Sequence, residues 1–183
     1  MRLDHPLPAV DAYALRAATN QDQPAIWALI SSVLHSYGIT TDAATTDADL
    51  VDIDAFYSGG KGAFFVLLDG PEIVGTVALH RETDAVCELC RMYLGAAYRG
   101  RGLGRRLLAH ALGEARQRGF REIFLKTASV LTAAISLYRQ AGFETAPGAK
   151  VGGNCDLVMR RMLDWPTRTR RDTTCLPRDK FAT

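Results

Sequence analysis

The stretch Arg99-Gly100-Arg101-Gly102-Leu103-Gly104 holds the residue types best suited to bind an anion. Glycine has no Cβ, so a ligand can approach its backbone closely. The stretch lies between an apolar, strand-like run over 86–94 and a helix-like run that starts with Arg105-Arg106-Leu107-Leu108. A strand, a glycine-rich turn and a helix start together make an anion site. The first N–H groups of a helix have no internal partner, and the macrodipole adds partial positive charge there. Arg99, Arg101 and Arg105 add fixed charge, with donors that match phosphate oxygens. These residues point to a pyrophosphate-bearing ligand. The glycine order differs from the dinucleotide fingerprint, and Arg105-Arg106 stands where a P-loop needs Lys followed by Ser or Thr.

The surrounding periodicity supplies the elements that would position this loop. Residues 13–19 read as a first strand. Asn20 or Asp22 caps a helix that runs to about Tyr37, with Pro24 in its first turn and Gly38 as its stop. After a polar loop, 47–57 reads as a short acidic helix. The run Asp42, Asp47, Asp49, Asp52 and Asp54 reads as a solvated helix face. Strands follow over 63–69 and 72–81, joined through Gly70-Pro71, and a third over 86–94. A helix then carries Leu103, Leu107, Leu108, Ala111, Leu112 and Ala115 on one stripe and ends at Gly119. Residues 122–129 form a strand, 132–141 a helix, and 143–147 with 155–163 a final strand pair. The order β-α-α-β-β-β-α-β-α-β-β implies an α/β (α+β) fold. Its sheet is mixed and mostly antiparallel, with about seven strands flanked by four helices.

The loop resembles motif A of the GNAT superfamily of N-acetyltransferases, R/Q-x-x-G-x-G/A, with Arg99, Gly102 and Gly104 filling it. Further along, Ala134-Ile135-Ser136-Leu137-Tyr138 followed by Gly142-Phe143 resembles motif B of the same superfamily. The resemblance implies one GNAT domain over 13–163, an N-terminal extension over 1–12, and a basic, flexible C-terminal tail over 164–183. It implies acetyl-CoA as acyl donor and coenzyme A as product. Cofactor contacts would come from Arg99, Gly100, Arg101, Gly102, Leu103, Gly104 and Arg105, and from the backbone amides of Met92, Tyr93 and Leu94 on a bulged strand. Such amides stabilise a developing oxyanion, by about 3 kcal/mol per donor. Many members have an Asn where this chain has Leu131, and Thr127, Ser129 or Thr132 offers a hydroxyl instead.

Two side chains stand out as acid and base. Tyr138 occupies the position from which family members protonate the coenzyme A sulfur, and it also reads as a helix aromatic packed on the sheet. Glu88 lies eleven residues before Arg99, the spacing of the base in histone-type members. It also reads as a sheet-surface carboxylate paired with Arg91 or Arg121. The expected reaction is acetyl transfer to a primary amine, on a small molecule or a protein, by direct attack in a ternary complex. The alternative is a non-catalytic module that binds acyl-CoA as a sensor. A longer acyl donor stays open, since motif A does not read chain length.

Composition narrows the partners. The 183 residues carry a net charge of +2, too balanced for nucleic acid binding. No apolar run is long enough to cross a bilayer, and the N-terminus lacks a signal-peptide core. A cytoplasmic protein is the expectation, with a homodimer expected on general frequency alone. Of the four cysteines, Cys87 and Cys90 form C-x-x-C, but residues three apart in a strand face opposite ways. They are therefore expected as buried thiols, with no metal. Cys155 has no His beside it that would make it a nucleophile. His35 and Tyr37 end the first helix, which in the resembled family often borders the acceptor groove, and His35 also reads as an ordinary surface residue. Asn154-Cys155-Asp156 forms either a solvated turn or part of that groove.

Overall fold

A computed structural model of the chain describes residues 9–44, 46–148, 151 and 155–164. Asn154, Cys175 and the tail beyond Asp164 lie outside the described residues, as does most of the N-terminal extension.

Seven strands form one sheet in the order β1-β2-β3-β4-β5-β7-β6. They are β1 (Ala14–Ala17), β2 (Gly62–Asp69), β3 (Glu72–Arg81), β4 (Val86–Leu94), β5 (Glu122–Thr127), β6 (Glu144–Thr145) and β7 (Leu157–Met162). The helices are α1 (Gln23–His35), α2 (Ile53–Tyr57), α3 (Leu103–Gln117) and α4 (Thr132–Gln140). Only β4 and β5 pair in parallel among the described strands. A parallel pair needs a crossover, and α3 supplies it.

Both faces of the sheet are covered, which explains why β2 is apolar almost throughout. Ala63, Phe65 and Leu67 face one core with α3 and α4; Phe64, Val66 and Leu68 face the other with α1 and α2. The α3 stripe expected from the sequence is fully covered, with Leu103, Leu107, Ala111 and Ala115 all at 0% exposure. Each such buried leucine contributes roughly 2 kcal/mol. The helix is therefore fixed against the sheet, and so is the loop that precedes it.

Local chemistry changes three of the expected boundaries. Helix α1 ends at His35, ahead of Tyr37. Asp22 precedes α1 but does not cap it; its carboxylate accepts from the Thr19 N–H at 2.9 Å and pairs with Arg16. The 47–57 segment is not one helix. A short 3-10 turn, Ala48–Leu50, comes first, and Asp52 then accepts from the Ala55 N–H at 2.9 Å to start α2 afresh. Nor is the aspartate run a solvated face, because Asp47 and Asp49 are buried.

Candidate active site

Two features of β4 shape the centre of the molecule. Its pairing with β5 covers only Val86↔Glu122, Cys87↔Ile123 and Glu88↔Phe124. Beyond Glu88 the strand continues to Leu94 along β3, so the sheet splits between β4 and β5. Within that split β4 bulges. Tyr93 stands opposite Thr76 and Cys90 opposite Ala78, leaving Arg91 and Met92 against the single residue Val77. Arg91 has φ 51, the one positive φ at a non-glycine among the described residues. The expected bulge is present, and Met92, Tyr93 and Leu94 lie in and just after it.

A short 3-10 turn, Ala96–Tyr98, carries the chain from β4 to the glycine-rich loop. Gly100 has φ 75 and Gly102 φ 81, conformations that strain residues with a Cβ. Gly102 is the N-cap of α3 and has no side chain to satisfy the first-turn amides. Arg99, Gly100, Gly102 and Arg105 are exposed around this helix start, and Arg101 is half-buried. Leu103 lies in the core, so its side chain is not available to a ligand at the loop. A Cβ on Gly104 would sit 3.5 Å from Leu137, a spacing that lets α3 and α4 approach. Neighbouring groups orient the guanidiniums. Arg99 donates to Leu94 O at 3.2 Å and to the Tyr37 hydroxyl at 3.3 Å. Arg101 lies 5.4 Å from the Tyr98 ring centroid, and Arg105 donates to Gln140 at 3.4 Å. Arg106 is turned inward and donates to Val10 O and Tyr13 O at 2.5 and 2.6 Å.

Tyr138 and Glu88 approach the split from opposite faces. The Tyr138 hydroxyl reaches from α4 to Met92 Sδ at 3.8 Å, at the bulge. Burial, with Tyr93 close by, raises its pKa above the ordinary phenol value, so it is held protonated. Glu88 sits on the last paired rung, one residue past Cys87 and so on the other face, that of α1 and α2. Its ion partner is Lys126, at 3.3 Å, not Arg91 or Arg121. Arg91 instead pairs with Asp47 at 2.6 Å and with Asp49.

The hydroxyls expected to replace the missing Asn are not equivalent. Ser129 donates to Asp156 at 2.6 Å, and Thr127 is buried. Thr132 is exposed in the first turn of α4. His35 is exposed, whereas Tyr37 is drawn to Arg99. Cys87 packs into one core and Cys90 against the other, as their spacing requires. Burial pushes both thiols up to about 12. Among the described residues, His80, Glu82 and Glu88 bring ligand-type atoms within 4.8 Å of one another, and Lys126 already engages Glu88. No helix among the described residues is long and apolar enough to cross a membrane.

Comparison with known proteins agrees with this geometry. The family model described as acetyltransferase (GNAT) family matches residues 29–143. The uncharacterized N-acetyltransferase YjgM of Escherichia coli K12 is 36% identical over 157 residues, covering 81% of this chain and 94% of its own. A GNAT-family acetyltransferase of Staphylococcus aureus Mu50 superimposes with TM-score 0.76 at 20% identity, over 83% of this chain and 99% of that one. Similar too is yncA of Salmonella typhimurium, solved with its cofactor acetyl-CoA, at TM-score 0.67 and 25% identity over 88% of this chain and 99% of its own. With a split, bulged β4, a glycine-capped α3 and the family model spanning both, the chain belongs to the acetyltransferase (GNAT) family.

Proposed function

We propose that this N-acetyltransferase moves an acetyl group from acetyl-CoA to a primary amine by direct attack in a ternary complex. The early end of β4–β5 pairing at Glu88↔Phe124 carries the reading. It opens the sheet between a buried phenol on one face and a carboxylate on the other. The residues fit a ligand of the coenzyme A type. Gly100 and Gly102 have no neighbour within 4 Å of an added Cβ except Val10 at 3.8 Å, and the α3 start has no side-chain cap. Exposed Arg99 and Arg105 supply charge there.

Acetyl-CoA supplies an acyl group activated as a thioester. The α3 amides, with Arg99 and Arg105, would hold the pyrophosphate. Amides of Met92, Tyr93 and Leu94 would bond the pantetheine arm and the thioester oxygen. The amine nitrogen forms the new N–C bond with its lone pair, and the C–S bond breaks with its pair left on sulfur. Nitrogen gives one proton to Glu88, and sulfur takes one from Tyr138. Exchange with solvent then resets both groups. An amine that arrives as ammonium must first lose a proton; Glu88, only partly exposed, would take it and pass it to solvent before it accepts the second. Burial raises the Tyr138 pKa and likewise disfavours a thiolate formed beside it, so the two effects offset and the phenol keeps its ability to protonate that sulfur. Free thiols at Cys87, Cys90 and Cys155 suit a reducing compartment, and we place the protein in the cytoplasm.

Initial rates of thiol release, with acetyl-CoA and an amine from a panel of amino acids, polyamines and peptides both varied, test the mechanism. Direct attack predicts intersecting double-reciprocal lines and a requirement for both substrates. Parallel lines would mean an acyl-enzyme and overturn it.

A further inference from the structure

Arg91 holds a conformation that a side chain disfavours, with φ 51 in the middle of the bulge. Both ends of the residue are fastened. Its carbonyl accepts from the buried Thr76 hydroxyl at 2.7 Å. Its guanidinium donates from Nε to Asp49 at 2.9 Å, from Nη1 to Asp47 at 2.6 Å, and from Nη2 to Asp49 and to Thr46 O, the last at 2.7 Å. Asp49 also accepts from the Tyr57 hydroxyl at 2.5 Å. The guanidinium partners lie on the loop and 3-10 turn of residues 46–49, and Tyr57, which braces Asp49, lies on α2, all outside the sheet.

This arrangement is more than stability requires. Buried ion pairs add little net stability, because desolvation offsets the attraction. They do select one geometry, and a two-pronged guanidinium–carboxylate contact does so most strictly. The residues that follow Arg91 are Met92, Tyr93 and Leu94.

We infer that Arg91, clamped by Asp47 and Asp49, is a positioning residue for acetyl transfer: it fixes the β4 bulge so that the amides of residues 92–94 meet the pantetheine arm and thioester. The inference rests on the proposed function above. It separates two parts of the donor site. The helix start and its arginines would hold the pyrophosphate without the clamp, whereas the pantetheine contacts would depend on it.

The test compares Arg91→Lys, which keeps the charge and loses the two-pronged contact, with Asp49→Asn and wild type. Each is titrated with acetyl-CoA and with 3′-phospho-ADP, which has the pyrophosphate but no pantetheine arm. Thermal melting monitors the fold. The expected result is that Arg91→Lys and Asp49→Asn bind the nucleotide as wild type does, yet lose about tenfold or more in acetyl-CoA affinity and in kcat. Equal binding of acetyl-CoA by all three overturns the inference. So does equal weakening for both ligands, since that marks a purely structural lock. If Arg91→Lys does not fold, the near-isosteric Asp49→Asn decides by the same comparison. Failure of wild type itself to bind acetyl-CoA would instead refute the proposed function.

Discussion

Tyr138→Phe is expected to lower kcat by about 10²- to 10⁴-fold while acetyl-CoA binds as in wild type. The change removes one oxygen from a side chain that is 7% exposed. The ring keeps its packing, including its contact with Phe143 at a centroid distance of 5.8 Å. The lost hydroxyl contact is to Met92 sulfur, a weak acceptor, so the fold should hold. Burial raises the Tyr138 pKa, so the phenol should remain protonated through pH 9 and impose no alkaline limb of its own below that. Stopped turnover with separate titration of acetyl-CoA checks the prediction. An unchanged kcat would make Tyr138 a packing aromatic only. A module that merely sensed acyl-CoA would show no dependence on this hydroxyl.

Glu88→Gln should lower kcat/KM near pH 7 by about 10²-fold, with the deficit narrowing as pH rises toward the pKa of the amine. At low pH nearly every acceptor molecule is ammonium and needs a base. At high pH the neutral amine arrives ready to attack, and the carboxylate matters less. The substitution frees Lys126, whose side chain is 42% exposed, so water can take over its partner's place. With Lys126 in solvent the pair is well screened and contributes little to stability, so melting should barely change. The pH–rate profile of both proteins against one amine gives the answer. Parallel profiles would show that Glu88 is not the base.

Much of this was readable from local pattern. The α3 stripe, the alternation that buries β2 on two faces, and the Gly70 turn each act over a few residues, and each stands where the sequence put it. Cys87 and Cys90 point into opposite cores because strand geometry allows nothing else. What escaped was long-range. The aspartates of 47–57 looked like a solvated helix face because they were read without Arg91, which meets them across 42 and 44 positions of sequence. One signal was present: an arginine within the apolar run 86–94 had to be paired once buried. The Glu88 partner was missed for a similar reason. Lys126 becomes a neighbour only when β5 is laid parallel to β4. Tyr37, beyond the end of α1, meets Arg99 only in the folded chain.

The most direct measurement is isothermal titration of acetyl-CoA into the wild-type protein beside Gly102→Glu. Gly102 has φ 81 at the N-cap of α3, where a carboxylate would both strain the backbone and repel a pyrophosphate. The account predicts micromolar binding to wild type and a loss of at least about 100-fold in the variant, roughly 2.7 kcal/mol. No binding to wild type at millimolar acetyl-CoA, or equal binding to both proteins, would contradict the claim that this loop and the split beside it hold the acyl donor.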